Sequence, residues 1–324
     1  MLSRIADSLY WMSRYLERVD NTARLIDINL LHLLEAEDAV PAAEHWRPLL
    51  SISSSAEAYQ TLHPDGALTA GRVIQFLVHE RTNPSSIRSS LRGARDNARV
   101  VRDRLSKEMW EIMNEFWLRA EPIFKSAEPQ ERMAEFCRYV RNEVARFHGV
   151  TVSTMMRGEA WGFYQLGTFV ERADMTARIL DVKYHLLLPG PELVGSALDY
   201  YQWAALLKSL SGFEAYRRKY HTGMRPASVA EFVILAPDFP RSLRFSVDRI
   251  AQALGAIATV APGSDVARAV AGLETDVAHP SADAIFSQGL HEFLEAFVAR
   301  VAALDQGLHD EVFHGATGEN ACVG

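Results

Sequence analysis

One charged phrase is written twice in this 324-residue sequence, and that repetition limits the possible folds more than any other feature. LERVDNTARLID runs from Leu16 to Asp27, and VERADMTARILD runs from Val170 to Asp181, roughly 155 residues later. A helix needs a repeated apolar stripe to pack, but a repeated Glu, Arg, Asp, Thr and Arg is a further demand. Around each phrase the apolar residues recur at three and four. The first set is Leu9, Met12, Leu16, Val19, Ala23, Ile26, Leu30 and Leu33; the second is Phe163, Leu166, Val170, Ala173, Ala177, Leu180, Tyr184 and Leu187. This spacing predicts two long helices, each about eight turns if unbroken. LLPGPEL (Leu187 to Leu193) is expected to end the second, since proline cannot continue a helix.

The repetition extends beyond these helices. AEAYQTLH (Ala56 to His63) resembles FEAYRRKYH (Phe213 to His221), and RVIQFLVHERTNPSSIRSSL (Arg72 to Leu91) aligns with SVAEFVILAPDFPRSLRFSV (Ser228 to Val247). Phe76 falls on Phe232, Pro84 on Pro240, Ser86 on Ser242 and Arg88 on Arg244. A nearly constant offset over three blocks predicts an internal duplication, 1–157 and 158–315, with a flexible tail at 316–324. Strand signals are scarce, and FVIL (Phe232 to Leu235) follows helical spacing up to Pro237. The expected fold is all-α, an elongated helical bundle. Pro84 and Pro240 are expected to open equivalent helices, capped by Asn83 and Asp238.

On the first helix, Tyr10, Arg14, Glu17, Asp20, Arg24 and Asp27 form a second stripe beside the apolar one. Its copy is Tyr164, Thr168, Glu171, Asp174, Arg178 and Asp181. Five charges are unchanged between copies: Glu17/Glu171, Arg18/Arg172, Asp20/Asp174, Arg24/Arg178 and Asp27/Asp181. Meanwhile the core positions have drifted, Leu16 to Val170 and Val19 to Ala173. Exposed i,i+4 pairs contribute only a few tenths of a kcal/mol and should drift faster than a core. The inversion points to a buried network, in which losing one partner costs several kcal/mol, or to a binding or catalytic site; the two are compatible. An exposed ladder is the third reading.

Composition excludes several classes. The formal charge of −7 argues against a protein that coats nucleic acid. The densest basic run, YRRKYH (Tyr216 to His221), reads as a solvated helix face. No segment approaches the ~20 apolar residues a membrane span requires. Only Cys137 and Cys322 occur, without CxxC, which suits a reduced, cytoplasmic protein. No P-loop, GxGxxG, GxSxG or HExxH appears, and no cofactor is expected. A di-iron bundle needs two Glu-x-x-His pairs, and only Glu311 to His314 fits, so no metal is expected either. His148, His185 and His221 read as packed or surface histidines. Arg241, Ser242 and Arg244 open a helix, where a phosphate or carboxylate could dock.

LYWMSRYLERVDNTARLID and FYQLGTFVERADMTARILDVKYHLLLP resemble the two signature helices of the alpha-E domain family, and YRRKYH and PDFPRSLRFSVDRI resemble its next motifs. The resemblance spans about residues 1–314. It implies an all-helical duplicated domain found beside, or fused to, circularly permuted ATP-grasp ligases and transglutaminase-like proteins. The implied function is a helical accessory module of an amide- or peptide-bond-forming ligase, binding the ligase, its substrate or both. The alternative is an enzyme using Glu17 or Glu171 as acid/base and Arg24 or Arg178 to hold an anionic substrate. The chain departs from the family pattern at Ser13, where glycine is usual before the arginine. Thr168, where the first copy has Arg14, makes the two halves chemically unequal. The sequence is silent on oligomeric state.

Overall fold

Two helices dominate the molecule. In a computed structural model that describes residues 1–35, 42–126, 130–186, 197–221, 223–278 and 281–313, α1 (Ser3–Glu35) and α8 (Glu159–Leu186) are 33 and 28 residues long. They pack against each other along their apolar stripes, with Leu9, Met12, Leu16 and Val19 facing the same buried layer as Leu166, Val170 and Ala173. The crossing is close. A Cβ built on Gly167 would collide with Oγ of Ser13 and the carbonyl oxygen of Tyr10.

The remaining helices flank this pair, six after α1 and seven after α8 among the described residues. Helix α1 is followed by α2 (Ala42–Ile52), α3 (Ala56–Leu62), α4 (Ala70–Ile74), α5 (Ile87–Val100), α6 (Lys107–Lys125) and α7 (Gln130–Thr154). Helix α8 is followed by α9 (Ala197–Ser209), α10 (Phe213–Lys219), α11 (Pro226–Leu235), α12 (Leu243–Gly255), α13 (Asp265–Ala278), α14 (Ala282–Gln288) and α15 (Leu290–Leu308). Helix α1 packs on α5 and α7, and α8 packs on α12 and α15. No strand occurs among the described residues, so the fold is all-α. The expected stop at LLPGPEL, His314 and the tail with Cys322 lie outside those residues.

The halves repeat local detail as well. Trp46 and Trp203 are both fully buried. Tyr59 packs edge-on against Phe76 and donates its hydroxyl to the carbonyl of Ala67 (2.7 Å); Tyr216 packs edge-on against Phe232 and donates to Gly223 (3.2 Å). Ser54 and Ser211, at φ 51° and 53°, are the non-glycine residues of left-handed conformation among those described. The basic run after Tyr216 is exposed, as its composition suggests.

The helix openings differ from the sequence expectation. Helices α5 and α12 start after Ser86 and Ser242, whose hydroxyls accept from the backbone N–H of Ser89 (3.1 Å) and Phe245 (3.0 Å). The prolines lie two residues earlier, in the preceding turn. Asn83 closes that turn by accepting from the Ser85 N–H (3.0 Å), and Asp238 pairs with Lys219 at the surface. A serine directly before the first apolar residue can reach the third N–H of the helix, whereas a residue three earlier cannot.

Candidate functional site

Glu17 and Glu171 sit at equivalent places on the two long helices, and both are essentially inaccessible to solvent, at 0% and 1%. Each is clamped by the arginine that follows the other. Arg172 donates to both oxygens of Glu17 at 2.9 and 2.8 Å, and Arg18 donates to both oxygens of Glu171 at 2.6 and 2.9 Å. The two Glu-Arg doublets thus exchange partners across the helix crossing. Bidentate guanidinium–carboxylate pairs are the strongest charge-assisted arrangement available to side chains.

Each glutamate also takes a second arginine, and the halves supply it differently. Arg241, from the turn before α12, donates to Glu17 (3.1 Å), Asp20 (2.6 Å) and Asn21 (2.9 Å). Arg14, one turn before Arg18 on α1, donates to Glu171 (2.8 Å) and Asp305 (2.6 Å). The tyrosines follow the same division. Tyr10 donates to Asp305 of α15 at 2.6 Å, while Tyr164 lies 2.5 Å from Nδ1 of His148 on α7. Asp305 and His148 therefore hold matching positions.

The rest of the charged row is engaged too. Arg24 pairs with Asp20 (2.7 Å) and reaches Ser211; Arg178 pairs with Asp174 (2.9 Å). Asp27 meets Arg141 of α7, and Asp181 meets His291 of α15, both at 2.7 Å. The row is buried or half-buried, which removes the exposed-ladder reading.

Electrostatics follow from this packing. Burial alone would raise the Glu17 carboxyl, but Arg172 and Arg241 outweigh it and hold the group well below the ordinary carboxylate range. Glu171 is lowered in the same way, burial being overcome by Arg18 and Arg14. His148 is pushed down by burial, with Glu17 opposing, and Tyr164 is pushed up by burial. Arg241, expected to help receive an anion, instead spends its guanidinium on the protein's own carboxylates, and Ser242 is occupied as a cap that also donates to Ala236 (2.6 Å). Arg244 is half-buried on α12.

Periodicity missed Arg18 and Arg172 as site members because each lies about 100° from the glutamate on its own helix. The signal that finds them is the Glu-Arg doublet, unchanged between copies. His148, Asp305 and Arg141 carry no sequence signature. Among the described residues, no group of three His, Cys, Asp or Glu side chains is placed to hold a metal.

A family model described as a predicted alpha-helical domain with a conserved ER motif matches residues 1–313. The chain belongs to the Alpha-E family. Glu17-Arg18 and Glu171-Arg172 are the Glu-Arg doublets on the two long helices of this Alpha-E chain, and their reciprocal clamp is what those doublets build here. Relatives from Mycobacterium bovis and from two strains of Mycobacterium tuberculosis, each described as an uncharacterized protein, are 22% identical over 76% of this chain. The chain spans 29% of the length of those relatives. No solved structure matches it. No helix among the described residues is long and apolar enough to cross a membrane.

Proposed function

We propose that this Alpha-E chain is two copies of one helical unit forming a non-catalytic module in the cytoplasm. The module binds an ATP-grasp amide- or peptide-bond-forming ligase, its substrate, or both, with a transglutaminase-like protein as a further partner. One observation carries the non-catalytic half of this reading. Glu17 and Glu171 are each gripped by two arginines, and an acid/base catalyst needs a carboxyl that can gain and lose a proton near working pH. These two are held ionised and turned away from solvent.

Two further features support the binding half. The matching stretch is a minor part of longer relatives, as a module would be. Tyr200 and Tyr201, packed edge to face at 6.1 Å, are 46% and 56% exposed, and such aromatics are enriched where proteins meet. The choice of ligase rests on the family resemblance.

The test mixes the purified protein with the ATP-grasp ligase of the same organism. Co-elution on gel filtration, with amide-bond formation only when the ligase is present, is the expected result. Turnover by the isolated protein that Arg24→Ala or Arg178→Ala abolishes, with helicity retained by circular dichroism, would establish the enzyme reading instead.

A further inference from the structure

The two clamps are equivalent in backbone but not in filling. Aligning Pro84 with Pro240 and Ser86 with Ser242 puts Ser85 opposite Arg241. Around Glu17, the Arg241 guanidinium closes the space between Glu17, Asp20 and Asn21. Around Glu171 the second arginine is Arg14, which reaches Asp305 instead of Asp174. A cleft of ≈ 230 Å³ lies there, with Ser85, Asp174, Arg178 and Met175 on its wall.

The two clamps differ in charge. Replacing Thr168 and His148 of one clamp by Arg14 and Asp305 of the other adds one cation and one anion. Replacing Arg241 by Ser85 removes one cation, so Arg14, Arg18 and Arg178 balance Glu171, Asp174 and Asp305, whereas Arg24, Arg172 and Arg241 exceed Glu17 and Asp20 by one. The position without its arginine is the one beside Asp174. Its counterpart Asp20 accepts from both Arg24 (2.7 Å) and Arg241 (2.6 Å), whereas among the described residues Asp174 pairs with Arg178 alone (2.9 Å) and is 18% exposed. The three arginines on the cleft already face carboxylates: Arg14 on Glu171 and Asp305, Arg18 on Glu171, and Arg178 on Asp174. An anion entering the cleft would compete with those carboxylates, while a cation would find one under-partnered.

We infer that this cleft is a ligand site for a small molecule bearing a protonated amine or guanidine, whose cationic nitrogen sits against Asp174 as Arg241 sits against Asp20. Ile52, Met175 and Val301 form an apolar wall for the remainder of the ligand. The volume suits a molecule of amino-acid size and excludes a folded partner. The inference uses the unequal halves only, and it holds whether or not the protein serves a ligase.

Agmatine is a suitable probe, with acetate and inorganic phosphate as anionic arms, followed by titration calorimetry on the full chain. Agmatine should bind with one site per chain, and neither anion should compete. Asp174→Asn should weaken binding at least tenfold. Ser85→Arg, which supplies the missing guanidinium from the chain itself, should abolish binding while raising the melting temperature. No agmatine binding to the unaltered protein up to about 10 mM, a free energy near −3 kcal/mol, overturns the inference. So does unchanged binding in Asp174→Asn, or saturable binding of an anion instead. If Ser85→Arg fails to fold, Asp174→Asn, which alters one half-exposed pair, decides alone.

Discussion

Ser13 and Gly167 face each other where α1 and α8 cross, and the crossing leaves no room for a side-chain carbon on Gly167. The two positions are equivalents in the duplicated phrase, so one copy keeps glycine and the other tolerates serine. Ser13 turns its hydroxyl back to the carbonyl of Tyr10 at 2.9 Å.

Gly167→Ala should therefore destabilise the protein by about 1–3 kcal/mol through overpacking, read as a lower urea midpoint. Adding Ser13→Ala should not rescue it, because the Tyr10 carbonyl oxygen is as close as the serine hydroxyl. Full recovery in the double variant would mean that the backbones are free to part.

Breaking either clamp should cost far more than breaking a surface pair. Arg172→Ala leaves Glu17 buried with one arginine fewer, and Arg18→Ala does the same to Glu171, at about 3–5 kcal/mol each. Arg119→Ala removes an exposed i,i+4 pair with Glu115 and should leave the midpoint in place. Midpoints lowered equally by all three would assign no special weight to the clamp.

Acid should unfold the protein through the clamped glutamates. Their folded pKa values lie below those of the unfolded chain, so the unfolded state takes up protons first as pH falls. Their contribution is complete above about pH 5 and drains away as pH drops through the ordinary carboxylate range toward the folded values. Stability curves that stay flat from pH 5 to 3 would contradict the depressed values.

His148 adds an earlier step of the same sign. Burial holds its folded pKa below 6.5, so the unfolded chain protonates first and stability declines as pH falls below about 6.5. His291 runs the other way, raised by its hydrogen bond to Asp181, and loses its contribution as pH rises. The stability of the unaltered protein relative to His148→Gln isolates the first effect, and it should fall between pH 6.5 and 5. A difference independent of pH would place the titration elsewhere.

How far the sequence reached depends on which interactions are local. The long helices, the apolar stripes and burial of the charged row were legible because they repeat at helical spacing. The pairing between halves was not. A stripe argument follows one helix, and the partners of Glu17 and Glu171 come from the other, over 153 to 157 residues of intervening chain. Arg241 was noticed for its place near a helix start, where anions dock, but nothing local shows that it turns inward to Asp20. The caps Ser86 and Ser242 lie three and four residues beyond the expected Asn83 and Asp238, because proline at the opening position of a helix is only one of the places a turn can hold it.

The reciprocal clamp also bears on synthesis of the chain. Glu17 leaves the ribosome early, yet its arginines arrive only with residues 172 and 241. Until then the face of α1 that carries Glu17 and packs on α8 lacks both its apolar cover and its arginines, so the first unit cannot settle as an independent N-terminal domain in the way many multidomain chains do. Nascent chains arrested before Arg172 should stay protease-sensitive, and protection should appear only once Arg241 has emerged. A product truncated in the second unit would then be cleared whole, leaving no stable half-molecule to occupy the partners of the complete protein.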